Sequence, residues 1–379
     1  MAETREYQIC TNCIMDTTDP QITFDENGEC DFCTAFKQNI APTWHTDNHG
    51  YEELMKIADK IKKETRGRKY NCIIGVSGGV DSSYLTYIAT EVMGLTPLLY
   101  TVDSGWNLNV AVENIEKIVK TLELDLYTEV VNWQEMKDLQ LAFLKSQVPY
   151  QDIPQDHVIF AGLYNYASKH GIRYVLTGGN YSTECIKPPF EWTYVNDLTF
   201  IKDIHKKFGK MPIKTFPTCS MLKNRLYYRG IRGMKVVKPL DYVPYEQEAA
   251  LQLLEEKFGY QRYKNKHYEN IFTRWYEGYY MPRKFGYDKR RCYYSSLILT
   301  GQMKRDEALK LIDENPYDEK QASEDQEYIA KKLGISDSEM DQIIAGENKT
   351  WRDYNNQARF LNFFIHIAQK TGIEKRNFR

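Results

Sequence analysis

The sequence predicts an α/β protein built on a doubly wound parallel sheet, with an N-terminal cysteine module and a C-terminal helical region. Three observations lead there. Short apolar runs alternate with helix-period segments from Tyr51 to Asn180, the pattern of a parallel sheet covered on both faces. Four of the eight cysteines fall within residues 10–33. After Pro244 the strand-like runs stop, and helical periodicity takes over, as in Ala249, Leu253, Leu254 and Phe258. The expected division is 1–45, 46–243 and 244–379.

Each element has its own signal. Leu54, Ile57, Ala58 and Ile61 place an amphipathic helix over 51–66. Asn71–Val76 is a short buried strand running into a Gly-rich loop. Tyr84, Leu85, Ile88, Ala89, Val92 and Met93 repeat at helical spacing, and Gly94 ends that helix. Pro97–Val102 reads as the second strand, 110–122 as a helix, 124–131 as the third strand and 133–146 as another helix. A helix over 157–170 stops at Gly171, and Tyr174–Thr177 is a strand entering Gly178-Gly179-Asn180. Ligands of such sheets sit at the carboxyl ends of the strands.

Composition sets the outer limits. Hydrophobic residues make up 42% and charged residues 27% of the 379, which excludes a disordered chain. No run approaches the ~18 apolar residues of a membrane span. The first residues, MAETREYQICTNC, lack the basic and apolar regions of a secretory signal, so a cytoplasmic location is expected. The net charge of −2 gives no global attraction to nucleic acid. Tyrosine occurs 29 times, a ring with a hydroxyl that suits polar pockets and interfaces.

Cys10, Cys13, Cys30 and Cys33 form two C-x2-C knuckles around a turn at Asp25-Glu26-Asn27-Gly28. That spacing presents four thiolates to one tetrahedral ion, and Zn²⁺ is the expected occupant. With every ligand supplied by protein, the centre would be structural. Disulfides are disfavoured by the absent signal. Cys72 reads as a buried small apolar residue.

The run CIIGV leads into Ser77-Gly78-Gly79-Val80-Asp81-Ser82-Ser83, and a helix follows at once. Glycines let the backbone approach an anion, and the helix start stabilises it. The loop lacks the lysine of G-x-x-x-x-G-K-[ST] and the spacing of G-x-G-x-x-G. SGGVDSS resembles the PP-loop of the ATP pyrophosphatase superfamily, whose domain is of the adenine nucleotide alpha hydrolase type. That resemblance implies that ATP is split between its α- and β-phosphates, that the loop grips pyrophosphate, and that Asp81 helps hold Mg²⁺. It also implies that Asp103, in TVDSGWN, borders the adenosine and that Gly178, Gly179 and Asn180 close over the α-phosphate side.

A dense stretch, 266–302, mixes His267, Glu269, Arg274, Arg283, Lys284, Asp288, Lys289, Arg290 and Arg291 with aromatic residues. Basic side chains clamp phosphates and aromatic faces stack on sugars or bases. The stretch reads as a substrate surface.

Taken together, CTNCIMDTTDPQITFDENGECDFC, SGGVDSS, VDSGWN, LTGGNYSTE, KPLDYVPY and HYENIFTRWYEGYYMPRKFGYDKRR resemble the N-acetyl sugar amidotransferase family of bacterial surface glycan synthesis, including O-antigen and pseudaminic or legionaminic acid decoration of flagellin. The resemblance covers nearly the whole chain. It implies conversion of an acetamido group on a nucleotide-activated or nonulosonic sugar into an acetamidino group. It also implies ammonia from glutaminase and channel subunits similar to those of imidazole glycerol phosphate synthase. ATP, Mg²⁺ and Zn²⁺ are the implied cofactors. His267, Glu269, Lys284 and Lys289, with Asp81, are the catalytic candidates. Arg274, Arg283, Arg290 and Arg291 are the substrate-binding candidates. Arg291-Cys292-Tyr293-Tyr294-Ser295 departs from the pattern, which calls for a His soon after the basic pair. Three rival readings compete: a tRNA-thiolation enzyme using Cys185 and Cys219, an ammonia-dependent synthetase for another amide or acid, and a zinc-ribbon scaffold with a decayed ATP site.

Overall fold

A computed structural model describes residues 5–194, 197–263, 268–372 and 374–376. Five parallel strands form one sheet in the order β3-β2-β1-β4-β5: β1 (Cys72–Gly75), β2 (Pro97–Asp103), β3 (Leu126–Val130), β4 (Tyr174–Leu176) and β5 (Lys235–Val237). Ile74 lies between Leu99 of β2 and Leu176 of β4. The chain builds outwards from β1 to β3, then returns to the other side of β1. The switch point therefore falls between β1 and β4, and a ligand crevice opens there at the carboxyl ends of the strands.

The two-residue period of the strands sends alternate side chains to opposite faces. Cys72, Ile74, Leu99, Tyr174 and Leu176 share one core with α1 (Asn48–Glu64), α2 (Val80–Tyr87) and α3 (Asn109–Thr121). Ile73, Leu98, Tyr100, Val102 and Val175 share the other with α4 (Trp133–Ser146) and α5 (Ile153–Lys169). The Asp47 carboxylate caps α1 by accepting from the His49 and Gly50 amides, and Asn132 caps α4 in the same way. Helix α5 starts at Ile153, four residues earlier than its periodicity indicates, because Pro154 is tolerated in the first turn.

Helices dominate after β5, as the sequence predicts. They include α6 (Gln247–Phe258), a helical run from Ile271 to Phe285, α7 (Arg290–Leu299), α8 (Arg305–Asp313), α9 (Glu319–Leu333), α10 (Asp337–Ala345) and α11 (Ala358–Lys370). Packing does not break at Pro244. Leu254 and Phe258 of α6 bury in the same core as Leu85 and Ile115. Met15, Ile22 and Phe32 of the cysteine module are continuous with Phe272, Trp275 and Tyr280.

Strand β5 carries no clear signal in the sequence. Three residues are too few for alternation to register, and Lys235 at this sheet edge is exposed.

Candidate functional site

The Ser77–Ser83 loop follows β1 by two residues and opens α2. The first of its two glycines is forced by geometry. Gly78 has φ +81°, and a β-carbon there would fall 2.5 Å from the Ala111 carbonyl oxygen. Ser77 Oγ accepts from the Gly79 amide at 3.2 Å, and Ser82 Oγ accepts from the Ser77 amide at 3.3 Å. The first turn of α2 leaves N–H groups at the loop, an anion-binding arrangement. Tyrosines brace it from behind. Tyr260 and Tyr263 donate to the Gly78 carbonyl at 2.9 and 3.3 Å, and Tyr245 donates to the Asp81 carboxylate. Part of the heavy tyrosine usage is explained here.

The β4 loop closes on the same point. A β-carbon on Gly178 would lie 3.0 Å from the Asp81 carbonyl carbon, so the two loops touch. Asn180 is buried and caps the next short helix, accepting from the Thr183 amide at 2.8 Å and donating to the Gly178 carbonyl at 3.0 Å. It shapes the loop. Asp103 is exposed at the end of β2, and its Oδ1 accepts from the Gly105 amide at 2.8 Å.

Glu269 reaches this crevice from far along the chain. The Leu108 amide donates to the Glu269 carbonyl, and the Ile271 amide to the Trp106 carbonyl, each at 3.0 Å. This two-bond pairing lays residues 269–271 against the loop after β2. The Glu269 carboxylate then stands over the Ser77–Ser83 loop, accepting from Ser77 Oγ at 3.4 Å. A β-carbon on Gly79 would come within 2.9 Å of Glu269 Oε1. His267, a catalytic candidate from the sequence, lies outside the described residues.

The sequence reading passed over a cation at the same end of the sheet. Lys238 follows β5 directly, and its Nζ sits 5.8 Å from the centre of the Tyr181 ring. Its ammonium makes no hydrogen bond or ion pair among the described residues. Burial pushes its pKa down, and the nearby Arg376 guanidinium adds to that. Asp241, which accepts from the Tyr181 amide at 2.7 Å, is pushed up to about 6 by burial. KPLD, just past β5, is the signal that would have drawn attention to both residues.

The basic side chains of 266–302 turn mostly inwards. Arg274 makes a bidentate pair with Asp325, both bonds 2.7 Å. Arg290 pairs with Asp288 and donates to the Leu311, Ile312 and Glu314 carbonyls at the end of α8. Arg291 pairs with the buried Asp16 at 3.0 Å and donates to the Ile14 carbonyl. Lys284 donates to the Ile344 and Gly346 carbonyls at the end of α10. Arg283 is exposed, paired with Glu319 and set over the Tyr279 ring. In this structure they act as braces between helices.

Lys289 lies in a buried polar cluster beside the crevice. Its ammonium donates to Glu277 and sits over the Tyr150 ring. Asp152 and Asp156 complete the group. Gln155 links it to the site, accepting from Ser104 Oγ at 2.9 Å and Asn270 Nδ2 at 2.7 Å while donating to Asp152 at 2.9 Å. Burial pushes the Asp152 carboxyl up to about 8, with Asp156 and Glu277 adding to the rise. The folded-state value lies above the ordinary 3.8, so the native protein keeps a proton that the unfolded chain releases, and Asp152's contribution to stability falls from about pH 4 to pH 8. Asp152→Asn removes that dependence. Its stability relative to the parent should grow steadily across this window in denaturant titrations; a constant difference would exclude the assignment.

The second centre is the cysteine cluster. All four side chains are buried, and their sulfur atoms lie within 4.8 Å of one another. Individual separations are 3.8 Å (Cys10–Cys33), 3.6 Å (Cys13–Cys30) and 3.6 Å (Cys30–Cys33). Thiolates about 2.3 Å from a tetrahedral ion stand about 3.8 Å apart, so the set can hold one metal ion. Amides of Asn12, Cys13 and Cys30 point at Cys10 Sγ, and the Met15 amide at Cys13 Sγ, partners suited to anionic sulfur. Arg305 clamps the outside, donating to the Cys10 and Cys13 carbonyls.

Comparison with known proteins gives partial matches. An uncharacterized protein of Methanocaldococcus jannaschii, MJ1599, is 28% identical over 127 residues, 34% of this chain and 44% of the relative. This chain thus spans under half the length of that curated relative. Among solved structures, U34-tRNA thiolase NcsA from Methanococcus maripaludis with its [4Fe-4S] cluster has a TM-score of 0.31 and 14% identity, covering 79% of this chain and 82% of that one. A predicted subunit of tRNA methyltransferase from M. jannaschii has a TM-score of 0.29 and 12% identity, covering 49% and 74%. At those scores neither structure bears on activity. Residues 269–370, beginning at the glutamate that stands over the Ser77–Ser83 loop, match the family described as LPS biosynthesis protein WbpG-like, C-terminal domain.

Proposed function

We propose that this chain is an ATP-dependent amidotransferase of bacterial surface glycan synthesis that converts the acetamido group of an activated sugar into an acetamidino group. One observation carries the reading. The first residue of the segment that matches the lipopolysaccharide-biosynthesis family, Glu269, bonds by main chain to the β2 loop and places its carboxylate on the PP-loop. The contact brings the segment that matches the glycan-synthesis family to the Ser77–Ser83 loop, which supports reading them as one site.

The chemistry follows from the weakness of an amide as an electrophile. The acetamide oxygen attacks the α-phosphorus of ATP, and the bond to pyrophosphate breaks. The resulting O-adenylyl imidate has AMP as its leaving group. Ammonia adds at the imidate carbon, AMP departs with the former amide oxygen, and loss of a proton gives the amidine. Loop amides and the Ser77, Ser82 and Ser83 hydroxyls are assigned to the pyrophosphate, and the unpaired Lys238 to the α-phosphate. Asp81 and Glu269, two hard oxygen donors beside an anion-binding loop, fit Mg²⁺, which when bound would offset phosphate charge. No covalent enzyme intermediate is needed, and positioning supplies much of the rate. Zinc is assigned to the four cysteines. Ammonia is assigned to separate glutaminase and channel subunits.

The geometry of the remaining cysteines argues against sulfur transfer. Burial pushes the Cys185 thiol up to about 12, and it faces the Ser296 carbonyl. Burial also raises Cys219, whose amide donates to a buried, neutral His157. A reactive cysteine needs the opposite setting. Cys185→Ala and Cys219→Ala should each keep AMP formation and amidation within about twofold of the parent; loss of product in both would favour thiolation.

The direct test is mass spectrometry of reactions with ATP, Mg²⁺, ammonium and a panel of activated N-acetyl sugars. The product should be lighter by about one dalton and carry a basic amidine charged at neutral pH, with equal AMP and pyrophosphate. AMP without a changed sugar would move the acceptor elsewhere, and tRNA would be tried next. No AMP, with a glutaminase partner and the right sugar present, would refute the reading.

A further inference from the structure

Between Asp203 and Asp241 the chain has ten Lys or Arg residues and no carboxylate, although the whole protein has a net charge of −2. A charge run is ordinarily a solvated face, with counter-charges nearby. Here Lys207 finds Asp203 and Lys235 finds Glu64. Lys206, Lys210, Lys214, Arg225 and Arg229 form no ion pair among the described residues. Burial and the Arg229 charge both lower the Arg225 pKa.

The same segment exposes large apolar side chains. The helical stretch Lys223–Ile231 buries one residue, Tyr228. Leu222 is 53%, Leu226 64% and Ile231 77% exposed. Lys223 and Tyr228 tie the stretch to Asn165 of α5, and Arg232 donates to the Ser168 carbonyl. On α5, Ile159 and Phe160 are exposed as well. Single exposed apolar residues are common; several within ten residues mark a contact surface.

We propose that this face docks on an anionic lipid membrane, with the arginines and lysines against phosphate headgroups and Leu222, Leu226 and Ile231 entering the headgroup–acyl boundary. Charge complementarity selects the occupant. Five cations with no ion pair among the described residues call for an anionic partner, and exposed aliphatic side chains gain from an apolar one. A lipid surface meets both needs. Nucleic acid could stack on the exposed Tyr227 and Phe160 rings but gains little from Leu222, Leu226 and Ile231. The docking is peripheral: no helix among the described residues is long and apolar enough to cross a membrane. It is independent of the proposed reaction.

The full-length protein is sedimented with vesicles of mixed phosphatidylglycerol and phosphatidylcholine, and with pure phosphatidylcholine. Binding to the anionic vesicles alone, weakened by salt, is expected. Replacing Leu226 and Ile231 together by Ser should weaken that binding about fivefold or more while ATP turnover and the thermal midpoint hold. Arg225→Ala with Arg229→Ala should weaken it as well. Equal binding to both vesicle types, no binding at low salt, or insensitivity to the serine pair would overturn the proposal. So would retention of tRNA in place of vesicles.

Discussion

Glu269→Gln should lower AMP formation by on the order of a hundredfold or more, the usual cost of removing a charged group aimed at the reacting phosphates. The substitution keeps the shape and removes the charge. The pairing that holds residue 269 uses its main chain, through the Leu108 and Ile271 amides, so the fold and the thermal midpoint should be unchanged. The distinguishing readout is magnesium. With one of two hard carboxylates gone, half-saturation by Mg²⁺ should move to higher concentration. Gly79→Ala should give a smaller defect of the same kind, because its β-carbon would come within 2.9 Å of the movable Glu269 Oε1 and 3.2 Å of Ser77 Oγ and displace the carboxylate. A Glu269→Gln protein with parental AMP formation and parental magnesium dependence would reduce Glu269 to a loop contact. It would also remove the observation that joins residues 269–370 to the Ser77–Ser83 loop.

The sheet and its loop were legible because their signals are local. Seven consecutive residues, Ser77–Ser83, bracketed by a strand and a helix, state a geometry that needs no distant partner. The four cysteines likewise announce their centre by spacing. Glu269 was singled out for the company it keeps in the sequence, but its place on the Ser77–Ser83 loop depends on a contact across 192 positions, which no local pattern encodes. The basic cluster failed for the same reason in reverse. Arg274, Arg290 and Arg291 read as anion clamps while only their charges were visible. Their partners, Asp325, the end of α8 and Asp16, are remote or unremarkable in sequence. Lys238 was missed because a lone lysine after three strand residues looks like any edge residue. Its meaning comes from burial beside Tyr181 and from the lack of a hydrogen-bond acceptor among the described residues.

Removing the metal should have the widest structural effect. The cysteine module is small, and its buried Met15, Ile22 and Phe32 join the core that holds Phe272, Trp275 and Tyr280. Structural zinc in such modules contributes about 10 kcal/mol or more of apparent free energy, comparable with the whole stability of an ordinary domain. The loss would not stay local. Arg305 of α8 holds the Cys10 and Cys13 carbonyls, the Ser295 hydroxyl of α7 accepts from the Ile14 amide, and Arg291 of α7 holds Asp16. Both helices belong to the segment that packs around the crevice. Cys13→Ser, or a strong chelator at neutral pH, should therefore lower the thermal midpoint and expose α7 and α8 to hydrogen exchange, while the α1–α3 face of the sheet exchanges as before. Elemental analysis of the parent should give one zinc per chain and no acid-labile sulfide. Sulfur atoms this close leave room for a single ion, since a multi-iron cluster would spread them apart. Iron with sulfide, or an unchanged exchange pattern in Cys13→Ser, would show that the knuckles do not brace the helices through a mononuclear centre.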